Sequence, residues 1–75
     1  MNTYEVQAQD TTLCAWNAHS YEYDKERAIQ SALLITQDDP RYPICRVIEL
    51  DENDDEVGVI AVICAGRVFD LRGHV

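Results

Sequence analysis

The sequence is short of bases, of glycine and proline, and of long apolar runs, and each shortage closes a class of function. Six Lys and Arg stand against fourteen Asp and Glu, a net charge of −8 at pH 7. A chain so negative repels DNA, RNA and anionic membranes, so direct nucleic-acid binding is disfavoured and a basic protein surface is favoured as partner. The longest apolar stretch, Val57–Ala65 interrupted by Gly58, is about half of what a membrane span needs. The opening MNTYEVQAQD has neither a basic nor an apolar region and does not read as a signal peptide. Three cysteines, Cys14, Cys45 and Cys64, form an odd set without C-x-x-C spacing. A small secreted chain more often carries an even disulfide framework, so the expectation is a cytoplasmic protein with reduced thiols.

Motifs of catalysis and metal binding are missing too. There is no G-x-S-x-G, no H-E-x-x-H and no P-loop, and the three glycines, at 58, 66 and 73, fall where turns are expected. A nucleophilic Cys–His pair needs an electropositive surrounding, which this chain does not offer. Paired carboxylates are plentiful, but hydrolases hold them in a concave pocket that one helix on one sheet rarely makes. The soft ligands, Cys14, Cys45, Cys64, His19 and His74, are not at zinc-site spacing. Cys14 and Cys64 read as small hydrophobes on strand faces. The expectation is a protein with no catalytic residue, no metal site and no cofactor.

What is present is one small domain. Seventy-five residues with 47% apolar content are too apolar for disorder. A chain of this size buries only about 60% of its unfolded surface. Thr3–Gln9 alternates, with Tyr4, Val6 and Ala8 on one face and Glu5, Gln7 and Gln9 on the other, which predicts a half-buried strand. After the Asp10-Thr11 turn, Leu13–Ala18 reads as a second strand with Cys14, Trp16 and Ala18 on one face, Trp16 being a core anchor beneath the helix. Ser20 caps a helix whose first turn carries Glu22 and Asp24, where the dipole favours anions. The buried stripe of that helix is Ala28, Ile29, Ala32, Leu33 and Thr36, and Pro40 stops it near Gln37–Asp38. Ile44–Leu50 and Val57–Cys64 follow as strands. The latter is apolar on both faces, Val57, Val59, Ala61 and Ile63 opposite Ile60, Val62 and Cys64, as suits an interior strand or one whose second face is covered. Arg67–Leu71 closes the sheet and residues 71–75 make a frayed tail. The fold class is α+β, order ββαβββ, an antiparallel sheet with one helix on one face.

The densest chemistry lies in LDENDDEVG, where Asp51, Glu52, Asp54, Asp55 and Glu56 crowd six positions. An EF-hand would place glycine at the sixth position and Glu at the twelfth; this stretch has Glu56 and Val62 there, between strands rather than helices. A solvated hairpin loop that discourages strand aggregation is the plainer reading. Against it, like charges repel at a cost to stability, and further acids stand at Glu22, Asp24, Asp38, Asp39, Glu49 and Asp70. Carboxylates so spaced present to a basic groove much the field of a phosphate backbone. Tyr21, Tyr23 and Tyr42, beside these acids, fit either half-buried packing or interface anchors.

The opening MNTYEV, the segment SYEYDKERAIQSA leading into an alanine-spaced helix, and the closing meander resemble small phage and mobile-element proteins, among them the anti-CRISPR proteins. That resemblance implies a stoichiometric inhibitor, acting in the host cytoplasm, that binds a CRISPR effector subunit and blocks DNA or guide-RNA engagement. The partner-binding candidates follow from the charge and the aromatics. They are the five loop acids, with Glu22, Asp24, Asp38 and Asp39 as a second contact and Tyr21, Tyr23 and Tyr42 as anchors. Two other classes remain open: a homodimeric accessory protein joined through the fourth strand or a sheet edge, and a metal or ligand sensor built on the acidic loop.

Overall fold

The computed structural model describes residues 2–12 and 14–71, and among them the chain forms five strands and one helix. These are β1 (Thr3–Gln9), β2 (Trp16–Glu22), α1 (Lys25–Asp38), β3 (Ile44–Leu50), β4 (Glu56–Cys64) and β5 (Arg67–Asp70). All five strands join one antiparallel sheet in the order β2-β1-β3-β4-β5. The helix lies on one face, so the α+β reading and its element order hold. Of the predicted tail, residues 71–75, the last four lie outside the described residues, and Leu71 is tied to the sheet, its amide donating to the Ile60 carbonyl at 2.9 Å.

The core sits between helix and sheet. Val6 and Ala8 of β1, Cys45 and Val47 of β3, and Ile60, Ala61 and Ile63 of β4 meet Ala28, Ile29 and Ala32 of α1, with Leu33, Ile35, Tyr4 and Tyr42 packed around them. Of the predicted helical stripe, the alanines and Ile29 are the fully buried members. Alanine at two of those places lets the helix axis approach the sheet closely. At the far side of the sheet the pairing register gathers Ile44, Arg46, Ile48 and Leu50 of β3, Val59, Val62 and Cys64 of β4, and Arg67 and Phe69 of β5.

Register irregularities correct the face assignment of β4. Val47 pairs with Ala61 and Ile48 with Val59, leaving Ile60 as the extra residue of a β-bulge. Ile60 therefore joins Ala61 and Ile63 in the core, while Val59 turns to the opposite face with Val62 and Cys64. Strict alternation had set Ile60 against Ala61.

The second strand and the helix start also differ from expectation. The Asp10 amide bonds the Ala15 carbonyl, the Cys14 amide bonds Asp10, and the Asp10 carboxylate accepts from the Thr12 amide at 2.7 Å. This turn uses up the predicted first residues of the strand, with Cys14 at φ 54°, so β2 begins at Trp16 and runs to Glu22. Leu13 lies outside the described residues. Ser20 is thus a strand residue, its hydroxyl 3.2 Å from that of Ser31 on the helix, and Glu22 ends β2 rather than opening α1. Asp24 is the N-cap: its extended backbone precedes the first turn and its carboxylate accepts from the Glu26 amide at 3.0 Å. The helix ends at Asp38, as Pro40 requires, with the Asp39 amide still bonded to Ile35.

Trp16 is not under the helix. It pairs with Gln9 on the helix-free face, where the Arg46 guanidinium stacks 4.2 Å from its ring and bonds Gln7 at 2.7 Å. Cys14 is exposed and Cys64 half-buried, so Cys45 is the thiol that packs as a hydrophobe. Burial pushes it up to about 11.

Candidate functional site

The acidic stretch forms a tight loop joining β3 to β4. The Asp51 carboxylate accepts from the Asn53 and Asp55 amides at 2.8 and 3.0 Å, and the Asp51 amide donates to the Asp55 carbonyl. Asp54 adopts φ 63°, a left-handed conformation that Asp tolerates better than most side chains. One carboxylate thus builds the loop, while Glu52, Asp54, Asp55 and Glu56 lie on its exposed surface.

The strand order brings this loop beside the end of β2. Thr3 pairs with Leu50 and Tyr4 with Glu22, so the end of β2, the start of β1 and the end of β3 share one margin of the sheet. There an open cleft of about 460 Å³ is lined by Thr3, Glu5, Tyr21, Glu22, Tyr23, Leu50 and Asp54. Three carboxylates and two phenol rings thus face one hollow, and none of its lining residues is basic. Tyr21 and Tyr23 are 62% and 78% exposed, so both rings are open to contact from outside. The Glu5 carboxylate, across from Tyr21 on β1, accepts from its hydroxyl and holds the phenol above its ordinary pKa.

The remaining candidates separate from this cleft. Asp24 stands at the helix start, engaged in capping. Asp38 and Asp39 lie at the far end of α1, next to the sheet margin where Gln9 meets Ile44. Asp39 is held by Arg41 through paired bonds of 3.1 and 2.9 Å, which lower its pKa. Tyr42 is half-buried there, packed on the core and edge-on to His19 with ring centroids 4.7 Å apart. Glu49, expected on the acidic surface, is instead buried and accepts from the Asn2 side-chain amide at 2.7 Å, and Asp70 pairs with Lys25. The loop acids with Glu22 and the pair Asp38 and Asp39 therefore form two groups at opposite ends of the sheet. Among the described residues, no group of three or more His, Cys, Asp or Glu is placed to hold a metal ion. No described helix is long and apolar enough to cross a membrane.

Comparison with family models, curated proteins and solved structures finds no match. The site therefore rests on its own geometry.

Sequence reasoning missed Glu5, Thr3 and Leu50. Alternation along Thr3–Gln9 put Glu5 on the polar face, but the signal ended there. Only the cross-strand register sets Glu5 opposite Tyr21, sixteen positions along the chain.

Proposed function

We propose that this chain is a non-enzymatic binding protein that inhibits a nucleic-acid-handling partner by seating its acidic end in that partner's basic groove. The observation that carries this reading is the cleft in which Glu5, Glu22 and Asp54 surround Tyr21 and Tyr23, beside the exposed acids of the β3–β4 loop. Carboxylates and electron-rich rings both attract a cation, so a Lys or Arg side chain is the natural occupant. Complementary charge speeds encounter and sets orientation, and the aromatic anchors slow release. A CRISPR effector subunit, whose channel must be basic to hold its guide and target, is the partner class that the sequence resemblance implies. The margin near Asp38, Asp39 and Tyr42 is a separate and weaker contact, because Arg41 already neutralises Asp39 in part.

The test is inhibition of target-DNA binding by a purified CRISPR effector complex, followed by band shift at increasing salt. The wild-type chain is expected to block DNA binding, with inhibition fading as salt rises. Replacing Asp54, Asp55 and Glu56 by Lys should slow association about tenfold or more and flatten the salt dependence. Equal inhibition by the reversed loop would remove the acidic end from the mechanism; no inhibition by the wild-type chain would remove the partner.

A further inference from the structure

The helix-free face of the sheet is apolar where an uncovered antiparallel sheet would be polar. A sheet with one face in water alternates hydrophobic and polar residues, as β1 does. On β3, β4 and β5 the outer face instead carries Ile44, Ile48, Leu50, Val59, Val62 and Phe69. Ile48 is only 3% exposed, and Phe69, at 51%, stands bare.

We propose that a second copy of this chain covers this face, sheet against sheet, in a two-fold dimer. Size is the first argument. Five strands about 4.8 Å apart, four to nine residues long, give a face of about 20 by 25 Å, apolar over β3, β4 and β5 and polar along its β1 and β2 side. With side-chain relief that is of the order of the about 800 Å² each partner gives to a standard interface. Charge is the second argument. Among the described residues, the only acids at strand positions on this face are Glu5 and Glu56, and two bases, Arg46 and Arg67, accompany them. Glu5, at the margin of this face, belongs to the acidic cleft. Over the rest of it Glu56 is accompanied by Arg46 and Arg67, so on a molecule of net charge −8 this part fits a neutral surface such as its own copy and not a basic groove.

Register chooses the orientation. Arg67 pairs with Cys64 at one end of the apolar stripe, and Glu56 pairs with Leu50 at the other. A two-fold axis running across the strands reverses them, bringing Arg67 over the end that carries the partner's Glu56. It also sends the two acidic loops to opposite ends, beyond the roughly 10 Å over which exposed charges interact at moderate salt. A parallel stacking would set both loops side by side.

Light scattering coupled to size exclusion tests this with the chain alone. The expected mass is twice the 8.6 kDa of the single chain. Phe69→Glu and Val62→Glu are expected to give the monomer mass with unchanged far-UV circular dichroism, and Leu34→Glu, on the exposed side of the helix, to leave the dimer intact. Arg67→Glu, a surface change that spares the fold, should weaken dimerisation about tenfold, and adding Glu56→Arg should restore it. A monomer mass for the wild-type chain at about 200 µM, well above a micromolar Kd, overturns the proposal. So does a dimer that Phe69→Glu leaves unchanged, or a monomer that instead retains a different protein on this face.

Discussion

Single side chains decide where the elements of this protein begin. Asp24 and Ser20 are both residues that cap helices, and they compete for one helix start. Asp24 wins because it directly precedes Lys25 and reaches the Glu26 amide, whereas Ser20 is held in β2 opposite Val6. Asp24→Ala is therefore expected to cost about 1 kcal/mol of stability in urea unfolding, and Ser20→Ala less than about half of that. Equal losses would mean that the helix starts elsewhere. Tyr21 shows a residue tuned by its cross-strand neighbour. The Glu5 carboxylate stabilises its neutral phenol, so its pKa in the fold lies above the unfolded value. The stabilisation is complete below about pH 10, the ordinary phenol value, and is lost as pH rises through the raised one. Glu5→Gln should let Tyr21 ionise at lower pH, read from phenolate absorbance at alkaline pH.

At the scale of elements, β4 is the strand that organises the sheet. It pairs with β3 on one side and β5 on the other, and its bulge commits Ile60 to the core. Ile60→Ala should cost about 2–5 kcal/mol, because the cavity opens between helix and sheet where alanines already sit close. Val57, on the same strand but 49% exposed, should tolerate alanine to within about 0.5 kcal/mol. Denaturant midpoints of the two variants measure the difference. If they suffer alike, the bulge does not place Ile60 as described. The Lys25–Asp70 pair, 2.9 Å apart, ties the helix start to β5, but both groups are partly solvated and such a contact adds little.

Across the whole molecule, fourteen acids on a small domain repel one another, and the β3–β4 loop concentrates that repulsion. Added sodium chloride should therefore raise the thermal midpoint between about 10 mM and 200 mM, as the screening length shortens from about 30 Å to below 10 Å. The same salt should weaken the binding of a basic partner. Opposite responses to one variable would separate a protein that keeps its charge for a partner from one that keeps it for solubility. A midpoint that falls with salt would show that favourable ion pairs outweigh the repulsion.

The sequence by itself determined the element types, the exact bounds of Thr3–Gln9 and Ile44–Leu50, and the concentration of charge at Asp51–Glu56, because these depend on local periodicity and composition. A helix stop at Pro40 and an alternating β1 need nothing from elsewhere in the chain. The tertiary structure alone decided what depends on register. It moved the start of β2 three residues along the chain and its end four, with Trp16 paired to Gln9 and Glu22 to Tyr4, and it used one bulge to turn Ile60 inward and Val59 outward. It also set Glu5 against Tyr21, split the acids between two ends of the sheet, and moved Trp16 to the face without the helix. Such placements follow from pairing between distant segments, and a strand shifted by one position exchanges its faces, so no local pattern could have fixed them.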